Sequence, residues 1–464
     1  MTTIPENYIH EQAVNKSIAA FFKEYGIGKH FKKVNAYKSK GIPAIRIFIY
    51  MIQLVFTKKS MYMNILNGTH NEGFSKDVVY RLMNATYINW TMLLLYISSM
   101  VVKRLDGLTD EKRLNALVID DTIYERKRSK KVELLANVHD HAAKGKDKYK
   151  RGFRLLTLAW TDGTTTIPLH YRHLSSSEPK NRYAEARTGM DKRTIGYKIR
   201  QQAQTKATDI LLAMLKQAKK ANIPVKHVVF DTWFAYPSTM MNIKETGYET
   251  IGRLKDTTKI MYLVDGKKQT LKQIYAAHKK RRGRAKYLLS VEAKLYNDKD
   301  ETLPARIVFV RDRNNRKKWI AFACTDMALS EEEIIKLYGK RWDIEVFFKI
   351  CKSYLNLSRE FYGMSYDAMT AHTAVVMMRY VILAVHKRQN EDPRSLGELF
   401  FLMYDEVADM KFADVLALML DMLHKALDGC FSLTDEQINM INDRFLTNLS
   451  GYFNDLLVRN KSCA

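Results

Sequence analysis

A chain of 464 residues with 76 Lys and Arg against 50 Asp and Glu carries a formal net charge of +26. It is too long for a single stapled mini-domain, and so large a positive excess costs self-repulsion unless a polyanion neutralises it, with nucleic acid the leading partner. The four cysteines (Cys324, Cys351, Cys430 and Cys463) form no C-x-x-C pair, which argues against a structural zinc site or a disulfide framework and for a reducing interior.

The N-terminal MTTIPENYIHEQ lacks the basic and apolar regions of a secretory signal, and the apolar runs 45–56 and 92–102 are shorter than a bilayer-spanning helix. The expectation is a cytoplasmic, nucleoid-associated protein with no membrane partner. With eight prolines and no repeat, the units should pack together rather than hang on linkers.

Residues 1–113 read as a helical N-terminal region. Gly68–Asn71 breaks one segment and Ser75 can cap the next, DVVYRLMN, whose apolar residues recur at helical spacing. That pair reads either as a helix-turn-helix-like DNA-end binder or as an ordinary packing unit. From residue 114 the pattern turns to strands: NALVID, then FRLLTLAWT and TTTIPLHYR joined by a tight turn at Asp162-Gly163. An amphipathic helix at 205–221, the buried strand VKHVVFD, a helix starting at Pro237 and the strand YETIGRL complete an α/β core over 114–255.

Residues 256–320 form a β-rich insertion that includes KKRRGRAK at 279–286. The core resumes over 321–385 with one long helix starting at Ser330, where Ser330 and Glu333 form a capping box. A helical C-terminal region follows over 386–464.

Two strands end in acidic residues, LVIDDT at Asp120 and Asp121 and VVFDTW at Asp231. Catalytic groups gather at the carboxyl ends of such strands, although strand-terminal aspartates also cap turns. The more specific signal is YGKRWDIEVFFKICK. There Tyr338, Arg341, Glu345 and Lys352 fall within an arc of about 60° on an ideal helix otherwise rich in Trp342, Ile344, Phe347 and Phe348. Either the stripe faces a polar cleft, or Arg341 and Glu345 are an i,i+4 pair on an exposed surface. His139-x-His141 lacks a convergent third metal ligand. The runs RKRSKK (126–131) and KGKDKYKR (144–151) either line a nucleic-acid channel or are solvated loops.

The spacing Y-x2-R-x3-E-x6-K resembles the YREK signature of transposases of the insertion-sequence-four family, members of the DDE superfamily. Asp120 with Thr122 two positions on resembles the family's first-aspartate motif, with Asp121 as its competitor, and Asp231 resembles the second. The resemblance covers about residues 114–385 and implies a ribonuclease-H-like core interrupted by a β-rich insertion and flanked by helical regions. It further implies Asp120, Asp231 and Glu345 as catalytic carboxylates holding two Mg2+ ions, for which Mn2+ substitutes, with hard oxygen donors suited to phosphoryl transfer. Tyr338, Arg341 and Lys352 would hold DNA phosphates. Trp319 is either a base-stacking residue or a core tryptophan. The implied activity is cleavage at terminal inverted repeats and joining to target DNA, by at least a homodimer on paired ends. A related nuclease or resolvase, or a non-enzymatic transposase-derived DNA-binding protein, are the alternatives.

Overall fold

The computed structural model describes residues 13–38, 40–56, 60–66, 73–108, 113–140, 148–281, 285–312, 315, 317–389 and positions 396, 437, 440 and 444. The N-terminal region is helical: α1 (Ala13–Glu24), α2 (Ile27–Lys33), α3 (Ala44–Gln53), α4 (Met61–Leu66), α5 (Lys76–Met83) and α6 (Trp90–Asp106). Ser75 does precede α5, but its side chain makes no capping bond. The expected break at Gly68–Asn71 lies outside the described residues. Val79, Leu82 and Met83 of α5 are buried in the same continuous core as the central sheet, so this apolar face is committed to packing. The Asn89 side chain caps α6 by accepting from the Met92 amide, and in mid-helix the Ser98 hydroxyl donates to the Pro168 carbonyl at 2.7 Å, tying the helix to the sheet.

The core strands are β1 (Ala116–Glu125), β2 (Ala136–His139), β3 (Tyr149–Thr161), β4 (Thr166–Leu174), β5 (His227–Phe230) and β6 (Glu249–Arg253). Between them lie α7 (Ile195–Ala203), α8 (Ala207–Lys220) and α9 (Pro237–Glu245). β4 pairs antiparallel with β3 and β3 with β1, while β5 and then β6 add in parallel on the other side of β1. That mixed order is the ribonuclease-H-like arrangement. The β3–β4 turn forms where expected. Asp162 Oδ1 accepts from the Thr164 and Thr165 amides, both at 2.8 Å, and Gly163 takes a φ of +88° that a side chain would resist.

Residues 256–320 supply β7 (Tyr262–Val264), β8 (Lys267–Gln269), α10 (Leu271–Ala277), β9 (Leu289–Tyr296) and β10 (Thr302–Arg311), and β11 (Trp319–Cys324) runs from their end into the resumed core. The insertion does not stand apart as a subdomain. β11 pairs antiparallel with β6, Phe322 opposite Arg253 and Cys324 opposite Ile251, and β10 pairs with β11, so the insertion's strands continue the core sheet into 11 strands through β11, which covers what would be an open edge at β6.

Three helices follow: α11 (Glu331–Gly339), α12 (Trp342–Ser353) and α13 (Tyr366–Gln389). The expected capping box is present, with Ser330 Oγ accepting from the Glu333 amide and the Glu333 carboxylate from the Ser330 amide. The single long helix expected from Ser330 is instead two, interrupted at Lys340 and Arg341, where i→i−3 bonds (Lys340 amide to Leu337 carbonyl, Arg341 amide to Tyr338 carbonyl) tighten the chain. Gly339 at this point weakens helix continuation. Trp342, the first residue of α12, is 63% exposed, whereas Ile344, Phe347 and Phe348 are buried.

α13 is long and apolar enough to cross a membrane, a stretch that the sequence reading did not single out, and it is buried among this chain's own elements. Most of the expected C-terminal helical region, 386–464, lies outside the described residues.

Candidate active site

β1 is buried from Ala116 to Ile119 and then emerges, so Asp120 is the first polar side chain at the point where the strand leaves the core. Ile119 lies beside Phe230 of the parallel neighbour β5, which places Asp120, midway along β1, and Asp231, just past the end of β5, about 5 Å apart along the hydrogen-bonding direction; the strand end expected at Asp120 is not one, since pairing with β3 carries β1 on to Glu125. Sequence adjacency left Asp120 and Asp121 in competition. The pleat separates them, because successive side chains point to opposite faces. Asp121 is taken by Arg154 of β3 at 2.5 Å, and the Arg154 guanidinium in turn sits 5.0 Å over the Trp233 ring. Asp120 faces α11 and α12.

The break between those helices delivers the stripe residues to the aspartates. The Ile334 and Leu337 side chains of α11 pack in a small core with Val229, Ile251 and Phe322, and the Tyr338 ring lies 4.2 Å from that of Phe322. The Tyr338 hydroxyl thereby reaches Asp231 Oδ1 at 3.5 Å. Arg341, in the break, donates from Nη1 to Asp120 Oδ2 at 3.0 Å and from Nη2 to Glu345 Oε1 at 2.5 Å. One helical turn pair further on, Lys352 donates to Thr122 Oγ1 at 2.5 Å, on the same strand face as Asp120. The i,i+4 pair is therefore real, yet it is not a solvent-facing surface pair: Arg341 is 15% exposed and shared with a strand. Tyr338, Arg341, Glu345, Lys352, Asp120 and Asp231 are brought together. Trp319 is not part of that cluster. Its half-buried ring stacks on Tyr275 at 5.2 Å and meets Phe309 edge-on at 5.0 Å in the sheet extension.

Burial pushes the Asp120 carboxyl up to about 7; Arg341 and the Asp121 amide pull it back, and the Asp121 and Asp231 carboxylates add to the rise. Burial works against the Arg341 charge, but Tyr338, Asp120, Asp231 and Glu345 around it hold its pKa above the ordinary arginine value. Burial, helped by Asp231, raises the Tyr338 phenol, and burial followed by nearby Lys150 lowers Lys352.

The donor chemistry of the site suits a hard divalent cation: carboxylate oxygens on and just past two neighbouring strands, one of them destabilised as an anion by burial. The spacing in this structure does not. Among the described residues no group of three His, Cys, Asp or Glu stands close enough to hold a metal ion, and the cation between Asp120 and Glu345 is the Arg341 guanidinium. His139 meets the Tyr149 ring edge-on at 5.2 Å, and His141 lies outside the described residues.

Two residues that position the site escaped the sequence reading. Arg154 is the single charge in the apolar run FRLLTLAWT, and that oddity was its visible signal. Lys340 anchors the helix break by donating to the Leu114 carbonyl and, at 2.7 Å, to the Asp162 carbonyl. Nothing in its local sequence marks it, since its partners are backbone atoms far along the chain.

No curated protein sequence matches this chain. Among solved structures, the Drosophila P element transposase strand transfer complex aligns over 96% of this chain and 97% of its own, at 12% identity and a TM-score of 0.22, too loose a superposition to carry an argument. A family model described as DDE superfamily endonuclease matches residues 48–326, more than half of the chain, a span that contains Asp120 and Asp231 and stops short of Glu345. The chain belongs to the DDE superfamily endonucleases.

Proposed function

We propose that this protein is a cut-and-paste transposase of the insertion-sequence-four type, cleaving DNA at terminal inverted repeats and joining the freed 3′ ends to target DNA. The observation that carries the reading is the convergence of Tyr338, Arg341 and Glu345 from around a helix break onto Asp120 and Asp231 on neighbouring strands. In this reading Asp120, Asp231 and Glu345 are the catalytic carboxylates and would hold magnesium ions. When bound, these would neutralise charge on the attacking and leaving oxygens of the phosphodiester.

Arg341 has a second role. Its fork-shaped guanidinium suits a phosphate as well as two carboxylates, so DNA arriving at the cleft offers it an equivalent anion and frees Asp120 and Glu345 to approach each other. Lys352 adds a point charge beside Thr122, and the Tyr338 hydroxyl a further donor. Trp319 is proposed as a base-stacking residue that would have to leave its packing on Tyr275 and Phe309. Pairing of two element ends calls for at least a dimer on DNA.

The test is magnesium-dependent cleavage and joining on DNA carrying the flanking terminal repeats. Asp120→Asn and Glu345→Gln should bind that DNA as wild type does and fail to cut it. Normal cutting by both variants overturns the assignment, and cutting without joined product reduces the activity to that of a nuclease.

A further inference from the structure

Beyond Asp120, β1 continues to Glu125 and opens into a groove of about 860 Å³, whose other wall is the loop between α12 and α13. Lys352 stands at its inner end, joined to Thr122, so the groove leads away from the carboxylate cluster along the same strand, starting about 10 Å from Asp120. Arg126, Lys127, Arg128, Lys130, Lys131 and Arg359 line it against a single acidic residue, Glu125. Tyr362 stands in this field with 91% of its surface exposed, and Met364 beside it with 62%.

The wall that presents Tyr362 is fixed. Arg126 crosses the groove floor to donate to the Gly363 carbonyl at 2.6 Å and the Ser358 carbonyl at 3.4 Å, and the Glu133 amide holds the Met364 carbonyl at 3.0 Å. Gly363 is packed so closely that a side chain there would stand 2.7 Å from the Ala368 methyl. The backbone at Tyr362 is therefore held in place, and 91% of the residue is left exposed. A lone exposed tyrosine is ordinary on a protein surface. One held rigidly among six cations is the combination that stacks a base while neutralising its backbone. Duplex DNA presents phosphates and groove edges to such a wall, and only an unpaired nucleotide can offer its face.

We propose that this groove is a subsite for an unpaired DNA strand leading into the carboxylate cluster, with Tyr362 as its stacking platform. It rests on the reading of the chain as a DNA-cutting enzyme and names the form of DNA held beside the cut. The experiment measures fluorescence anisotropy of the full chain in EDTA with a labelled single-stranded oligodeoxynucleotide and with a blunt duplex of equal length. Tyr362→Ala should weaken single-strand binding about tenfold or more and leave duplex binding unchanged, while Tyr362→Phe retains both. A 2-aminopurine in the strand should be quenched by wild type and Tyr362→Phe and not by Tyr362→Ala. Lys130→Glu with Lys131→Glu should weaken both DNAs and flatten the salt dependence.

Equal single-strand affinity of wild type and Tyr362→Ala overturns the proposal, as does a loss of the same size on both DNAs. The two readings fail separately. If wild type does not cut element-end DNA with magnesium but Tyr362-dependent strand binding persists, the transposase reading falls and the groove stands. If cutting proceeds and Tyr362→Ala binds single strands normally, the reverse holds.

Discussion

Two arginines in this protein each bridge two carboxylates, and they sit in opposite surroundings. Arg200 of α7 reaches Glu133 at 2.5 Å and Asp367 at 2.6 Å, with its side chain 2% exposed. The remaining valences are filled by fixed backbone: Arg200 also donates to the Gly196 carbonyl, and Glu133 accepts from the Arg187 and Tyr366 amides. Arg341 makes the same bridge between Asp120 and Glu345, but Glu345 is 35% exposed and Asp120 21%. Its triad lies between β1 and a helix break. The chemistry is shared, and what differs is how many further bonds lock each member and whether water or a ligand can compete. The first bridge is scaffold between α7, α13 and the segment after β1. The second is exchangeable.

The largest effect should come from the exchangeable triad and appear in activity alone. Asp120→Asn should lower magnesium-dependent DNA cleavage about a thousand-fold or more with little change in melting temperature, whereas Asp121→Asn, which removes a partner of Arg154 on the opposite face, should keep most of it. Equal losses would erase the distinction between the faces.

The scaffold triad should show the converse. Arg200→Met leaves two buried carboxylates unpaired and should cost about 3–5 kcal/mol in urea unfolding. A cost near zero would mean the two bridges are alike.

A pH series sharpens the contrast. The folded-state pKa of Asp120 is raised from 3.8 to about 7, so the native protein binds the extra proton between those values. Stability from this group is full below about pH 4 and is lost as pH rises through 7. In metal-free urea unfolding, wild type should therefore lose stability relative to Asp120→Asn between about pH 4 and 7, and parallel curves would refute the raised pKa. The smallest effect is expected for Arg341→Ala, about 1 kcal/mol or less, because Glu345 is 35% exposed to water and Asp120, already raised to about 7, can take up a proton.

Much of this was legible before any coordinates. The Asp162-Gly163 turn and the Ser330 capping box rest on local propensities and are present, whereas the strand expected to end at LVID runs on to Glu125 through its pairing with β3. Periodicity also identified Tyr338, Arg341, Glu345 and Lys352 as one group. It did so through a straight helix that does not exist, and the group survives because the break at Lys340 and Arg341 keeps both halves over the same strands. Of the aromatic and apolar residues beside the stripe, Trp342 is exposed while Ile344, Phe347 and Phe348 are buried. The insertion was read as β-rich, but its continuity with β6 depends on pairing between segments about seventy residues apart.

Sequence by itself determined most of the elements, the polar stripe and the presence of acidic residues following two apolar strand runs, because these follow from nearest-neighbour and i,i+4 chemistry. Tertiary structure alone decided that Asp120 and not Asp121 faces α12, that Arg341 stands between two carboxylates, and that Tyr362 stands exposed in a basic groove. Strand alternation guarantees that adjacent residues take opposite faces. Which face meets the helices is set by long-range packing, and no local pattern encodes it.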